Sequence, residues 1–276
     1  IDELQACLEG DVLAGDCPLM IVGTGGSVST GAVDQLPRIR EICDRFDAWF
    51  HVDGAYGAFA AAASDVPEDL RGLALADSVA LDPHKWLYAP LEVGCILVRD
   101  PDALMNAFSY RPDYYYFQAD AKNFFERGIQ NSRGFRALKV WMQLKHVGRA
   151  GYVRMISEDI QLARRFVEIA DACDELEVFG TALSIATYRF VPSDLATRVS
   201  EPPVLAYLNE LNEAIQGRME LGGEAFVSNA VLGEVYALRM CVVNFRTTLE
   251  DVVALTEISE RLGREADAEI RPDGLR

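Results

Sequence analysis

Three short apolar runs in this chain each stop on glycine or aspartate. Leu19-Met20-Ile21-Val22 runs into Gly23-Thr24-Gly25-Gly26, Trp49-Phe50-His51-Val52 into Asp53-Gly54, and Ser78-Val79-Ala80-Leu81 into Asp82-Pro83. Continuous apolar runs of this length read as strands buried on both faces of a sheet. Cys95-Ile96-Leu97-Val98 is a fourth. Between the first two, Leu36, Ile39, Ile42, Cys43 and Phe46 recur at helical spacing, with Asp34 placed to cap them. The alanine-rich stretch 55–63 predicts a further helix. Strands alternating with helices predict an α/β fold. Open sheets of that class bind ligands beyond the carboxyl ends of their strands. Asp53 and the segment 82–85 are therefore expected at one rim.

Residues 101–131 break the pattern, and 110–117 are dense in aromatics. A connection of this size is uncommon unless it has a function. Residues 132–147 and 152–170 read as two helices separated by Gly148 and Gly151. Beyond them lie a strand at 184–191, a helix at 204–221, and strands at 225–231 and 235–243. Gly233-Glu234 between the last two is a hairpin signal. Thr248, with Asp251 three residues on, caps a final helix. The pattern divides into a larger unit over 1–147 and a smaller α/β unit over 148–276.

Charge excludes several function classes. The 276 residues hold 43 acidic against 26 basic side chains, a net charge of −17. Such a surface repels phosphate backbones and offers no basic stripe to an anionic membrane, so neither nucleic acid nor membrane is expected as a partner. Cys7, Cys17, Cys43, Cys95, Cys173 and Cys241 form no CxxC pair, and most sit in apolar runs. They read as reduced, mostly buried thiols of a cytoplasmic protein.

Familiar ligand loops fail on inspection. The third glycine of GxGxxG would fall on Val28, and Gly31 of a would-be phosphate loop is followed by Ala32 instead of lysine. With only His51, His84 and His146, no metal site is expected. What remains is His51-Val52-Asp53-Gly54-Ala55-Tyr56-Gly57 and Asp82-Pro83-His84-Lys85-Trp86, each with an ionisable group after a strand. A lysine flanked by Trp86 and Leu87 is partly desolvated, which favours the neutral amine needed for a Schiff base. A neighbouring carboxylate that keeps a pyridinium protonated is the usual companion of such a lysine in pyridoxal phosphate (PLP) sites. Singly, an aspartate at a strand end is a turn cap and a lysine after histidine is a surface cation.

Together these strings resemble the group II PLP-dependent amino-acid decarboxylases, the aromatic-L-amino-acid type in particular. Asp82-Pro83-His84-Lys85-Trp86 is the specific one, preceded in the same order by His51-Val52-Asp53. The stretches 26–34, 132–141 and 239–248 agree as well, so the likeness runs along the whole chain. It implies PLP transferase fold type I: part of the large mixed or parallel sheet domain over 1–147, then the small C-terminal α/β domain over 148–276. It implies that Lys85 carries pyridoxal 5′-phosphate, Asp53 pairs with the pyridine nitrogen and Ala55 lies against the ring. Asp82 and His84 flank the cofactor near its phosphate or the substrate carboxylate. Tyr114, in Arg-Pro-Asp-Tyr, matches the mobile-loop tyrosine that returns a proton, with Tyr115 and Tyr116 as neighbours and an aromatic interface cluster as the bland reading. Val28 stands where some members have threonine.

The activity so implied is decarboxylation of an L-amino acid, aromatic by preference, to the amine and CO2. The alternatives are an aromatic aldehyde synthase on the same scaffold and a non-catalytic remnant serving as a structural partner. The resemblance also implies a cytoplasmic homodimer, with loop 109–131 reaching across. It starts midway through the large domain, which implies a C-terminal portion completed by a separate N-terminal segment or chain.

Overall fold

The computed structural model describes residues 1–116 and 122–276. The chain opens with α1 (Asp2–Ala14), stopped by Gly15 in a left-handed conformation. Then follow β1 (Met20–Thr24), α2 (Leu36–Phe46), β2 (Trp49–Asp53), β3 (Ser78–Leu81) and β4 (Cys95–Val98). They form one sheet in the order β1-β2-β3-β4. The first three strands are parallel, and β4 is antiparallel to β3. Thr24 pairs with Asp53 and Asp53 with Ala80, so three carboxyl ends share one rim, as expected.

Helix α2 forms because Leu36, Ile39, Ile42 and Cys43 make one buried stripe, which packs with Phe50 and Val52 of β2. Its cap differs from expectation. Gln35 occupies the cap position, and the Asp34 carboxylate instead accepts the Thr24 amide at 2.7 Å, tying the loop after β1 to its strand. The alanine-rich stretch is a 3-10 turn over Gly57–Ala62. Gly57 is pressed so closely on the Gly25 carbonyl that a β-carbon would lie 2.2 Å from its oxygen. That approach admits only glycine at this position.

The strands are not buried on both faces. Burial alternates along β1, and Met20, Val22, Trp49 and Ile96 share the face that no described element covers. The cysteines are likewise less buried than expected. Only Cys43 is fully buried, whereas Cys7, Cys17 and Cys95 are exposed. Cys95 lies on β4, an edge strand whose residues are mostly open.

After α3 (Ala103–Phe108) and the aromatic loop, whose Phe117 lies outside the described residues, comes α4 (Ala137–Ala170). The two expected helices are continuous apart from a kink at Gly148, where φ is 69°. The remainder is β5 (Leu176–Ala182), β6 (Ile185–Phe190), α5 (Pro202–Gly222), β7 (Ser228–Leu232), β8 (Val235–Cys241) and α6 (Leu249–Ile270). These strands make a second, antiparallel sheet in the order β5-β6-β8-β7. The predicted hairpin forms with Gly233 at φ 64°. Thr248 and Asp251 make a reciprocal capping box at α6.

Phe166 of α4, Leu208 and Leu211 of α5 and Leu262 of α6 pack with Tyr188 and Phe190 as the core of this half. A separate cluster containing Tyr56, Trp86, Ile156, Ile160, Leu183 and Ile185 joins the two sheets. Among the described residues no helix is long and apolar enough to cross a membrane.

Candidate active site

Where the rim of the first sheet meets the second sheet there is a cleft of about 640 Å³. Thr24, Ser27, Asp53, Ala55 and Lys85 line it from one side, and Ser228, Arg239 and Cys241 from the other. Val28, Phe226, Val227 and Val243 add apolar wall. Asp53, Ala55 and Lys85, singled out in separate strings of sequence, are thus brought together.

The local geometry follows from the turns. Asp53 ends β2, and its Oδ1 accepts the Ala55 amide at 3.1 Å, the aspartate turn that such a residue favours. The Gly54 amide donates to the Ala80 carbonyl at 3.1 Å, and a β-carbon there would lie 2.5 Å from that of Ala58. Only glycine lets the chain leave the sheet so tightly. The loop after β1 is held by its own hydroxyls. Ser27 Oγ and Thr30 Oγ1 are 2.9 Å apart, and Ser27 Oγ accepts the Ala32 amide at 3.1 Å.

Lys85 sits in a tight turn after β3. Its amide donates to the Asp82 carbonyl at 2.9 Å, and its Nζ lies 2.8 Å from Asp82 Oδ2. Asp82 therefore touches the amine and is not itself a lining residue of the cleft. His84 points away, donating from Nδ1 to the Val93 carbonyl at 2.7 Å, and it too lines no part of the cleft. Trp86 is fully buried and stacks on Tyr56, with ring centroids 4.9 Å apart and planes 5° from parallel. Tyr56 is fixed in turn by Ser184, 2.7 Å from its hydroxyl, and burial holds its phenol well above the usual range.

Tyr114 stands apart from these groups. It is 73% exposed, packs edge-on against Tyr115 at 4.9 Å and is not among the residues of the cleft. Tyr115 takes a hydrogen bond from Asn131 at 3.2 Å, and Tyr116 faces solvent.

Sequence reasoning assigned no role to Arg239, Ser228, Cys241 or Asp159. Arg239 Nη1 donates to Ser228 Oγ at 2.9 Å, while its buried Nε has no partner among the described residues. The two residues face each other across the hairpin, so counting back from Gly233 would have paired them. Cys241 is a mostly buried thiol, and burial pushes it above its ordinary value. Asp159 left no signal, since its partners Trp86 and Tyr88 belong to a distant stretch of chain.

Known proteins resemble this chain along most of its length. The profile of the pyridoxal-dependent decarboxylase conserved domain matches residues 1–185. An aromatic-L-amino-acid decarboxylase of Bacillus atrophaeus is 34% identical over 263 residues, covering 92% of this chain and 53% of its own length. A 4-hydroxyphenylacetaldehyde synthase of Rhodiola rosea is 28% identical, over 90% of this chain and 49% of its own. Among solved structures, Oryza sativa TDC with PLP and tryptamine superposes with a TM-score of 0.86 at 26% identity, covering 95% of this chain and 54% of that one. The chain spans about half the length of the relatives it matches.

Proposed function

The chain belongs to the pyridoxal-dependent decarboxylase family, and from that premise we propose that it carries the reactive lysine of a carboxy-lyase acting on an aromatic L-amino acid. The observation that carries the proposal is Lys85 and Asp53 lining one cleft with Arg239 opposite. The cofactor of this family is pyridoxal 5′-phosphate. The residues present fit it. The Lys85 side chain is open and paired with Asp82, not desolvated as its neighbours in sequence suggested, Asp53 is exposed, and Arg239 presents a buried donor without a partner among the described residues.

When bound, the cofactor supplies an electron sink for the pair left behind as CO2 departs. Lys85 would hold it through Nζ. Asp53 would keep a proton on its ring nitrogen, and Ala55 is small enough to lie against a ring face. Arg239 would hold a carboxylate by a charge-assisted hydrogen bond. Asp82 would support Lys85 through the amine, and His84, bonded to the Val93 carbonyl, would steady the turn that carries it. Tyr114 would deliver a proton to the substrate carbon, which needs the loop 109–116 to move over the cleft.

The apolar wall of Val28, Phe226, Val227 and Val243 supports an aromatic side chain over a charged one. Two further parts of the reading rest on exposed apolar surface. Leu138, Trp141, Met142 and Leu144 on α4 support a homodimer. The open face of the first sheet supports a covering body of protein, as parallel sheets require.

The test is a panel of L-amino acids incubated with the protein and PLP, with CO2 and product identified for each. Amine and CO2 in equal yield from tryptophan, tyrosine or DOPA support the proposal. Ammonia and hydrogen peroxide in step with CO2 would replace it with the aldehyde-synthase reading.

A further inference from the structure

Asp159 lies in α4, beyond the kink at Gly148, and is 2% exposed. No cation pairs with it among the described residues. Its Oδ2 accepts from Trp86 Nε1 at 2.8 Å and from the Tyr88 hydroxyl at 2.7 Å. A buried carboxylate without a cation is costly, and burial pushes this one up to about 6. Both donors belong to the turn that carries Lys85. Trp86 follows Lys85 directly, and Tyr88 holds a left-handed backbone, with φ at 55°. A non-glycine residue keeps that conformation only when its surroundings impose it. Tyr88 is held by Asp159 at its hydroxyl, and its ring meets Phe245 edge-on at 5.5 Å. Trp86 passes the restraint to the cleft wall through its stack on Tyr56.

We propose that Asp159 is a positioning residue for Lys85: by taking hydrogen bonds from Trp86 and Tyr88, it fixes the turn that sets Lys85 Nζ on Asp82 and at the cleft. This rests on Lys85 being the cofactor lysine. The neutral alternative, an acceptor that merely fills the core, predicts no effect confined to Lys85.

The test compares Asp159→Leu, which removes the acceptor, with Asp159→Asn, which keeps a carbonyl oxygen. Each variant is acetylated briefly with an N-hydroxysuccinimide ester, and Lys85 is quantified by peptide mass spectrometry against Lys139 and Lys145. In parallel, PLP is captured on Lys85 with borohydride. In Asp159→Leu, freed from its partner Asp82, Lys85 should acetylate about twofold faster relative to the reference lysines, as loss of a half-exposed ion pair implies. Capture of PLP should fall by a similar factor, and Asp159→Asn should stay close to the parent protein. Lys85 acetylating at the parental rate, or rising only in step with Lys139 and Lys145, would overturn the proposal. If Asp159→Leu fails to fold, Tyr88→Phe, which removes one of the two donors, should raise Lys85 acetylation in the same sense, and no change there overturns it. Failure of the parent protein to capture PLP would refute the cofactor reading alone, since the acetylation comparison does not involve PLP.

Discussion

Lys85 Nζ lies 2.8 Å from Asp82 Oδ2, and the same two residues close a turn through an amide-to-carbonyl bond of 2.9 Å. The backbone bond makes the ion pair short-range and fixes its direction. The Lys85 side chain is 42% exposed, so the pair itself contributes little stability, about 0.5 kcal/mol. Asp82→Asn should therefore leave the melting temperature nearly unchanged while Lys85 acetylates about twofold faster. A large fall in melting temperature with unaltered Lys85 reactivity would contradict this role for the pair.

Gly31 has φ at 76°, and a β-carbon on it would lie 2.3 Å from the Ala182 carbonyl oxygen. The loop that holds Ser27 at the cleft is thus pressed on the end of β5. Gly31→Ala should destabilise the protein by more than about 1 kcal/mol, through both strain and overlap. Urea unfolding of the two proteins, followed by circular dichroism, measures this loss.

The Asp159 carboxyl, pushed up to about 6 by burial, titrates above its ordinary value of 3.8. Between those values the unfolded chain gives up this proton before the folded one does. The folded state binds more protons there, so this group's contribution to stability falls as pH rises from about 4 to 6 and is level above. The loss amounts to about 3 kcal/mol. Carboxyls held low by arginine, such as Asp194, act in the opposite sense. The difference in urea midpoint between Asp159→Asn and the parent should therefore shift in favour of the variant from pH 4.5 to pH 7. A difference that does not change with pH would contradict it.

Arg239 brings a cation to the cleft from the second sheet, steadied by Ser228. Arg239→Gln should raise KM for the amino acid by about tenfold or more, the worth of a charge-assisted hydrogen bond. The effect on kcat should be smaller. Steady-state CO2 release separates the two constants.

How much of this was legible in the sequence depends on how locally each feature is encoded. Asp53 and Lys85 follow apolar runs, and a parallel sheet carries both run ends to one rim. Their convergence is therefore readable from the order of runs and turns alone. The break in the helical stretch at Gly148, the hairpin at Gly233 and the Thr248 cap were legible in the same local way. Strand β5 was not, because a bulge between Val178 and Gly180 breaks its alternation. Helix α1 was missed because it buries only Leu8 and so shows no apolar stripe. Asp34 has the chemistry of a helix cap, yet the nearby Thr24 amide claims its carboxylate. The hairpin register pairs Arg239 with Ser228, but only tertiary packing carries Arg239 to the cleft and brings Asp159 of α4 to Trp86 and Tyr88, and no local pattern records either step.

Everything proposed for the cleft depends on Lys85 being the amine that takes the cofactor. The decisive measurement is to incubate the protein with PLP, reduce with borohydride and map the peptides by mass spectrometry. One pyridoxyl phosphate group is expected on Lys85, and none on the cleft peptides of Lys85→Ala. Label spread over Lys122, Lys139 and Lys145, with Lys85 unmodified, would contradict that role.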